Sequence, residues 1–293
     1  MNVTFQHAGA TLSGAVVLPT DGEVRAGLVF LHGSGPADSG HWSEWADAFA
    51  GHGVASLSYD KPGVGGSEGD WTRQSFADRA SEALAALRFL AGDVIAEGVP
   101  TGVLGMSQGA WIGPHAASVS EDVAFVVALS GSSTGPREQD RFRIEHELAR
   151  DGFAQDAVDA ALRVWDECDA LFGSGADDRA LFDAFAPHRD EPWSHYFVFG
   201  DPNLIAYGRL IWDYDPLPFL ARLRCPLLAI WGSADALVDA RSSAATFERV
   251  LVDSGNRKTR LVTIHGVDHG LRRDGERPLE LFSWIADWIL VED

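Results

Sequence analysis

One pentapeptide constrains this chain more than any other feature: residues 105–109 read G-M-S-Q-G, an instance of the pattern G-x-S-x-G. The apolar run 101–104 before it lies between Gly and Pro residues and predicts a buried strand. A serine on a sharp turn from strand to helix has a strained backbone and presents its hydroxyl above the sheet. Flanking glycines, here Gly105 and Gly109, leave room for such a turn. The pattern therefore predicts a nucleophilic serine, Ser107; a glycine-rich turn that happens to contain a serine is the alternative.

A serine hydroxyl is a weak nucleophile near neutral pH, so it needs a base, and the base needs an orienting carboxylate. Two later apolar runs are followed by suitable residues: 227–231 precedes Asp235, and 260–264 precedes His269. Loops after parallel strands lie along one edge of a sheet. We therefore predict that Asp235 and His269 meet Ser107 at that edge.

Five motifs, spread in order over nearly the whole chain, resemble those of the α/β-hydrolase superfamily. They are L-H-G-S-G-P at 31–36, Y-D-K-P-G-V-G-G-S at 59–67, the G-M-S-Q-G turn, W-G-S-A-D at 231–235 and D-H-G at 268–270. The order Ser, Asp, His along the chain is also that of the superfamily. Within it, the chain is similar to compact esterases, thioesterases and serine aminopeptidases, and the motifs do not choose among them.

The resemblance implies an α/β-hydrolase fold: a mostly parallel eight-stranded sheet flanked by helices, with a helical cap inserted after the sixth strand. Strands alternate with helices up to residue 131, which independently predicts a parallel sheet covered on both faces. The helix after the serine is the weakest of these, because Gly113 and Pro114 oppose it.

The alternation stops over residues 132–222, where helices are predicted at 137–149, 156–172 and 178–185 and the first strand signal comes at 195–199. The resemblance identifies this segment as the cap. The predicted organisation is a core domain of residues 1–131 and 223–293, interrupted by a cap of residues 132–222.

The resemblance also ranks the competing triad residues. Asp239 could replace Asp235 as the acid, but Asp235 follows its strand directly after W-G-S-A, as the family acid does. Asp268 adjoins His269 and is expected to be a loop or capping residue. His265 lies at the end of a strand and is the weaker candidate for the base.

Acyl transfer places negative charge on a carbonyl oxygen, so N–H donors must already point at that oxygen. The resemblance implies that one donor is the backbone N–H of Gln108, the residue after the nucleophile. The other is expected from the loop 32–36, with Ser34 as the first choice and Gly35 as the second.

The predicted cap is rich in large aromatic residues, more than short helices need for their own packing. Trp165, Trp193, Tyr207 and Trp212 are predicted to line a substrate pocket over Ser107. Packing inside the cap explains any single one of them equally well.

Composition excludes several classes of partner. Lys and Arg number 23 and Asp and Glu 43, and the formal net charge of −20 should repel nucleic acid and anionic membranes. The two cysteines, Cys168 and Cys225, lack metal-ligand spacing, and no metal or other cofactor is expected. The first residues lack a signal-peptide pattern and no run is apolar enough to span a membrane, so we expect a cytoplasmic monomer or homodimer that binds a small acyl substrate.

The predicted function is that of a serine hydrolase that cleaves a carboxylic ester or thioester of a small-to-medium apolar substrate. A serine aminopeptidase or amidase is an alternative, and it needs an acidic patch to hold a substrate ammonium; the candidates are Glu145, Glu147, Asp166, Glu167 and Asp169. An acyltransferase with the same triad is a further alternative. A non-catalytic binding protein with a hydrolase fold comes from a different class, and the complete Ser, Asp and His set argues against it.

Overall fold

The computed structural model describes residues 1–20, 22–278 and 280–291. Its strands are β1 (Asn2–His7), β2 (Ala10–Val17), β3 (Ala26–Leu31), β4 (Val54–Tyr59), β5 (Thr101–Met106), β6 (Val126–Leu129), β7 (Leu227–Gly232) and β8 (Thr259–Ile264). They form one sheet in the order β1-β2-β4-β3-β5-β6-β7-β8. The strands from β3 to β8 run parallel, and β1 and β2 pair antiparallel at one edge.

Helices cover both faces of the sheet. They are α1 (Ser43–Ala50), α2 (Phe76–Phe89), α3 (Gly109–Val119), α4 (Pro136–Arg150), α5 (Gln155–Gly173), α6 (Asp178–Phe185), α7 (Pro202–Ile211), α8 (Leu217–Arg222), α9 (Ala240–Asp253) and α10 (Leu281–Val291). One face packs on α1 and α10, and the other packs on α2, α3, α8 and α9. This architecture confirms the predicted fold class.

The central strands are apolar because both of their faces are covered. Every residue of β3, β4 and β7 is buried, as parallel strands between two helix layers require. The β1–β2 hairpin instead has one exposed face, and its turn uses Ala8 and Gly9 at positive φ (50° and 84°). Two positive φ values in a two-residue turn match the right-handed twist of the strands.

The segment between β6 and β7, called the insertion below, contains α4 to α8. Helices α4 to α6 and the chain up to Trp212 share an apolar core of their own, in which Ile144, Leu148 and Phe185 are buried. Helix α8 packs on α3 and α9 instead. The two ends of the insertion lie side by side, since a Cβ on Gly135 would overlap the carbonyl oxygen of Tyr214. The division of the chain into a core domain and a cap stays a prediction.

The strand signal at 195–199 is wrong. This stretch forms two short 3-10 turns, Ser194–Tyr196 and Val198–Gly200. Phe197 and Phe199 are buried while their neighbours are partly exposed, and this alternation imitates a strand.

Helix α3 forms in spite of Pro114, which lies inside it. Gly113 explains part of this outcome: a Cβ there would lie 3.2 Å from Val126 and 3.4 Å from Val103. The small residue lets α3 pack closely on β5 and β6, and this packing outweighs the low helix propensity.

None of the helices in the described ranges is long and apolar enough to cross a bilayer.

Candidate active site

Ser107 lies on a tight turn between β5, which ends at Met106, and α3, which begins at Gly109. Its φ of 57° is in the left-handed region, which is costly for a residue with a side chain. Two hydrogen bonds hold this backbone: Ser107 N–H donates to the Leu129 carbonyl (2.8 Å), and Ala110 N–H donates to the Ser107 carbonyl (2.9 Å). A strained backbone of this kind is typical of a nucleophilic serine, because the turn exposes the serine hydroxyl above the sheet.

The turn has no room for side chains at the two glycines that flank Ser107. A Cβ on Gly105 would overlap the carbonyl oxygen of Gly109, and a Cβ on Gly109 would overlap that of Leu31. The structure therefore places both predicted turn glycines where the backbone segments touch directly.

Asp235 and His269 form a hydrogen-bonded pair after β7 and β8. His269 Nδ1 donates to Asp235 Oδ2 at 2.8 Å, which leaves Nε2 of the neutral ring as the free basic nitrogen. Asp235 Oδ1 accepts the backbone N–H groups of Leu237 (2.8 Å) and Val238 (3.0 Å). The Asp235 side chain is fully buried and that of His269 is 17% exposed. The carboxylate is thus fixed from both oxygens and can orient the ring.

The competing residues have other partners. Asp239 caps the N-terminus of α9, where it accepts the backbone N–H and the hydroxyl of Ser242 (2.9 and 2.6 Å). Asp268 accepts the backbone N–H of Arg272 at 2.8 Å. His265 is exposed, and its Nδ1 lies 3.5 Å from the Ser233 hydroxyl.

The carboxyl end of β6 joins the loops that bear the three predicted catalytic residues. Leu129 accepts the N–H of Ser107, and the next residue, Ser130, donates its hydroxyl to the His269 carbonyl at 2.8 Å. Ser130 N–H in turn donates to Ile230 of β7 (2.7 Å), the strand that leads to Asp235. In the described part of the chain no hydrogen bond joins the Ser107 hydroxyl to the His269 ring. Sequence reasoning missed Ser130, whose only signal was a Ser-Gly pair after an apolar strand.

The predicted oxyanion donors border Ser107. A Cβ on Gly33 would lie 3.5 Å from the Ser107 Cβ, so the loop after β3 runs against the nucleophile. Ser34, Gly35, Ser107 and Gln108 line one cavity. In the residues that the structure describes, the backbone N–H groups of Ser34, Gly35 and Gln108 donate to no acceptor.

The cavity above Ser107 has a volume of about 430 Å³ and lies between the sheet and the insertion. Trp71 and Trp111 line it from the core, and Tyr207 and Trp212 line it from the insertion. Trp71 contacts Tyr207 edge to face, with the ring centroids 5.1 Å apart. Sequence reasoning missed the two core tryptophans, although Trp111 lies only four residues after the nucleophile.

Trp165 and Trp193, also predicted for the pocket, do not line this cavity. Trp165 donates its indole N–H to Asp140 at 3.0 Å and stacks on Trp212. Trp193 is 3% exposed and packs on Phe197. Both side chains belong to the apolar core of the insertion, which also contains Phe172, Phe185, Phe197 and Phe199.

Four of the five acids considered for binding a substrate ammonium are paired with arginines of α4. The pairs are Glu145 and Asp166 with Arg141, Glu147 with Arg143, and Asp169 with Arg137. Asp169 also accepts the indole N–H of Trp212 at 3.0 Å. Each of these four carboxylates has an arginine partner, although Arg141 is shared by two of them, so they do not form a free acidic patch.

Over residues 1–20, 22–278 and 280–291, no group of three His, Cys, Asp or Glu side chains is arranged to hold a metal ion. Burial raises the pKa of the Cys168 thiol to about 12 and that of Cys225 to about 11, so both stay protonated near neutral pH.

A family model described as the alpha/beta hydrolase family matches residues 28–283. The chain belongs to this family. No curated protein matches it in sequence.

Solved structures share the fold of this hydrolase at low identity. DcsB in complex with its substrate analogue is 13% identical with a TM-score of 0.69, covering 100% of this chain and 98% of that one. An esterase from Pyrococcus furiosus is 17% identical with a TM-score of 0.65, over 99% and 91% of the two chains. A monoacylglycerol lipase from Paleococcus ferrophilus is 18% identical with a TM-score of 0.58, over 96% and 99%.

The turn glycines give a direct test of the local geometry. We expect Gly105→Ala to destabilise the protein by about 1–3 kcal/mol, because the added methyl group overlaps the Gly109 carbonyl and forces the turn apart. The measurement is the free energy of unfolding in urea. Gly173→Ala, at the end of α5 and with open space around the new methyl group, is the matched control and should change the free energy by less than about 0.5 kcal/mol. Equal stability of the two variants would contradict the close contact at the turn.

Proposed function

We propose that this chain is a serine hydrolase that cleaves a carboxylic ester or thioester of a small-to-medium apolar substrate through a covalent acyl-enzyme. The observation that carries the proposal is the hydrogen-bonded His269–Asp235 pair. Ser130 binds the His269 carbonyl, and the preceding residue, Leu129, binds the backbone N–H of the strained Ser107. The pair and the serine are therefore held at the same end of β6. A serine, an oriented imidazole and a buried carboxylate at one sheet edge are the parts that nucleophilic acyl transfer needs.

In the first half of the reaction the Ser107 oxygen attacks the substrate carbonyl carbon. His269 Nε2 accepts the hydroxyl proton and then gives it to the leaving alcohol or thiol. Asp235 stabilises the imidazolium that forms between these two steps. Hydrogen bonds between a catalytic serine and its base are often long or poorly aligned before substrate binds, and they tighten in the complex with substrate.

The tetrahedral intermediate carries its negative charge on the former carbonyl oxygen. The unpaired N–H groups of Gln108 and Ser34 are the proposed donors to that oxygen, with Gly35 as the second choice for the loop. In the second half, water attacks the acyl-enzyme while His269 takes its proton. His269 then gives this proton to the Ser107 oxygen as the ester bond to the serine breaks, and the acid leaves.

The cavity favours an apolar acyl group. Trp71, Trp111, Tyr207 and Ile211 give it apolar walls next to Ser107. The arginine pairing of four of the acids on α4 and α5 disfavours an aminopeptidase, which needs free carboxylates to hold a substrate ammonium. Two of the structural neighbours are an esterase and a monoacylglycerol lipase, which agrees with ester chemistry.

A fluorophosphonate tests for the nucleophile itself, because it reacts with activated serines. We expect the intact mass of the wild-type protein to increase by one adduct and that of Ser107→Ala to stay unchanged. A wild-type protein that stays unlabelled would instead favour a non-catalytic binding protein.

Asp235→Asn tests the acid. An asparagine cannot stabilise the imidazolium and favours the wrong ring tautomer, so kcat should fall by about 10⁴. Asp239→Asn is the matched control: asparagine caps helices as well as aspartate, and kcat should stay within about twofold. Steady-state hydrolysis of a p-nitrophenyl ester measures both. A large loss in Asp239→Asn with an active Asp235→Asn would reverse the assignment.

A substrate panel tests the bond. We expect turnover of p-nitrophenyl esters or acyl-CoA thioesters with apolar acyl chains and little turnover of aminoacyl anilides, since the acids near the cavity are paired. Activity confined to the anilides would identify an aminopeptidase or amidase, and transfer of the acyl group to an added alcohol in preference to water would identify an acyltransferase.

A further inference from the structure

Lys61, in the loop after β4, is 2% exposed and lies beneath the loop that borders Ser107. Its Nζ donates to the carbonyl oxygens of Gly33 (2.6 Å) and Gly35 (2.7 Å). Burial lowers the pKa of Lys61 to about 6. A neutral amine still has two N–H groups, so Lys61 can hold both carbonyls on either side of that pKa.

These bonds determine where one N–H of the loop points. The carbonyl of Gly33 and the N–H of Ser34 belong to the same peptide group, which is trans, and in a trans peptide they point in opposite directions. Because Lys61 binds the Gly33 carbonyl, the Ser34 N–H points away from the Lys61 Nζ. The peptide before Gly35 has no such anchor, since its carbonyl belongs to Ser34. Lys61 thus constrains the direction of the Ser34 N–H and leaves that of the Gly35 N–H unconstrained.

Arg79, on α2, is 6% exposed and ties the same loop to the serine turn. Its Nη2 donates to the His32 carbonyl at 2.6 Å, and its Nη1 donates to the Gln108 side-chain oxygen. Tyr207, from α7 of the insertion, donates its hydroxyl to that same oxygen at 3.1 Å. One guanidinium thus spans the two chain segments that carry the two proposed oxyanion donors.

We propose that Lys61 and Arg79 are positioning residues for the oxyanion hole: Lys61 aims the Ser34 N–H, and Arg79 sets the distance between the Ser34 loop and Gln108. This inference rests on the proposed function, and it adds two residues that lie outside the triad and outside the cavity wall. Burying basic side chains is costly unless every N–H finds a partner. Here the partners are the backbone carbonyls of His32, Gly33 and Gly35 and the side-chain oxygen of Gln108, all in the two segments that carry the proposed donors.

Lys61→Met and Arg79→Met remove the hydrogen bonds while keeping much of the apolar volume. The concentration of competent sites is first counted from the end point of fluorophosphonate labelling. With the p-nitrophenyl ester that the wild type hydrolyses fastest, kcat per competent site should fall about 10²-fold in each variant, with KM within threefold, because donors that act in the transition state are misdirected. The inhibition constant of a trifluoromethyl ketone with the same acyl chain, whose serine adduct carries an oxyanion, should rise by a similar factor.

Asn256 supplies a matched control. It is 8% exposed and, like Lys61, donates to two backbone carbonyls, those of Leu223 (3.2 Å) and Cys225 (3.0 Å), but it lies before β8 and away from the cavity. Asn256→Leu should lower Tm and leave kcat per competent site and the ketone affinity unchanged. The same pattern in Lys61→Met and Arg79→Met would overturn the positioning role and leave the proposed hydrolase activity intact.

Conservative variants keep the test decisive if a methionine variant does not fold. Arg79→Lys retains a positive charge but replaces the two separate nitrogens that bind His32 and Gln108 by one nitrogen on a shorter side chain, so we expect a smaller loss of kcat, about tenfold, with the ketone affinity reduced in parallel. Unchanged kcat and ketone affinity in Arg79→Lys and in Lys61→Gln would overturn the inference. A wild-type protein with neither labelling nor turnover would refute the proposed function, and with it this inference.

Discussion

The hydrogen bonds at the carboxyl end of β6 are the contacts on which the site depends. Leu129 accepts the backbone N–H of Ser107 in the serine turn. Ser130 donates its N–H to β7, the strand that leads to Asp235, and its hydroxyl to the carbonyl of His269. Ser130 itself has a positive φ of 51° and is completely buried. A residue held so firmly fixes the separation of three loops that are far apart in sequence, which is the preorganisation that acyl transfer requires.

A second layer of contacts lies under the loops. Lys61 and Arg79 bind carbonyl groups on the underside of the segments around Ser107. His32 contributes as a neutral ring: it accepts from the Trp42 indole at 3.0 Å and its other nitrogen bonds the Tyr59 carbonyl at 2.7 Å, while burial lowers its pKa to about 3. The loops thus owe their conformation to buried polar partners more than to their own sequence.

The sequence predicted the sheet, its flanking helices and the Asp235–His269 pair because each depends on local patterns: apolar runs, helical spacing and the residue directly after a strand. Contacts between distant segments have no such pattern. Trp165 and Trp212 are both aromatic residues of the insertion, yet only Trp212 reaches the cavity, since the packing of α4, α5 and α7 decides which ring points inward. Lys61 and Ser130 were hidden for the same reason.

The adjacency of Gly135 and Tyr214 has an evolutionary consequence. The pairing of β6 with β7 sets the spacing of these strands without help from the insertion. Because the insertion leaves and re-enters the core at neighbouring points, its length can change at little cost to the sheet. Descendants of one ancestral gene could exchange this whole segment, and with it the shape of the cavity above the serine, while the pairing of β6 and β7 stays the same.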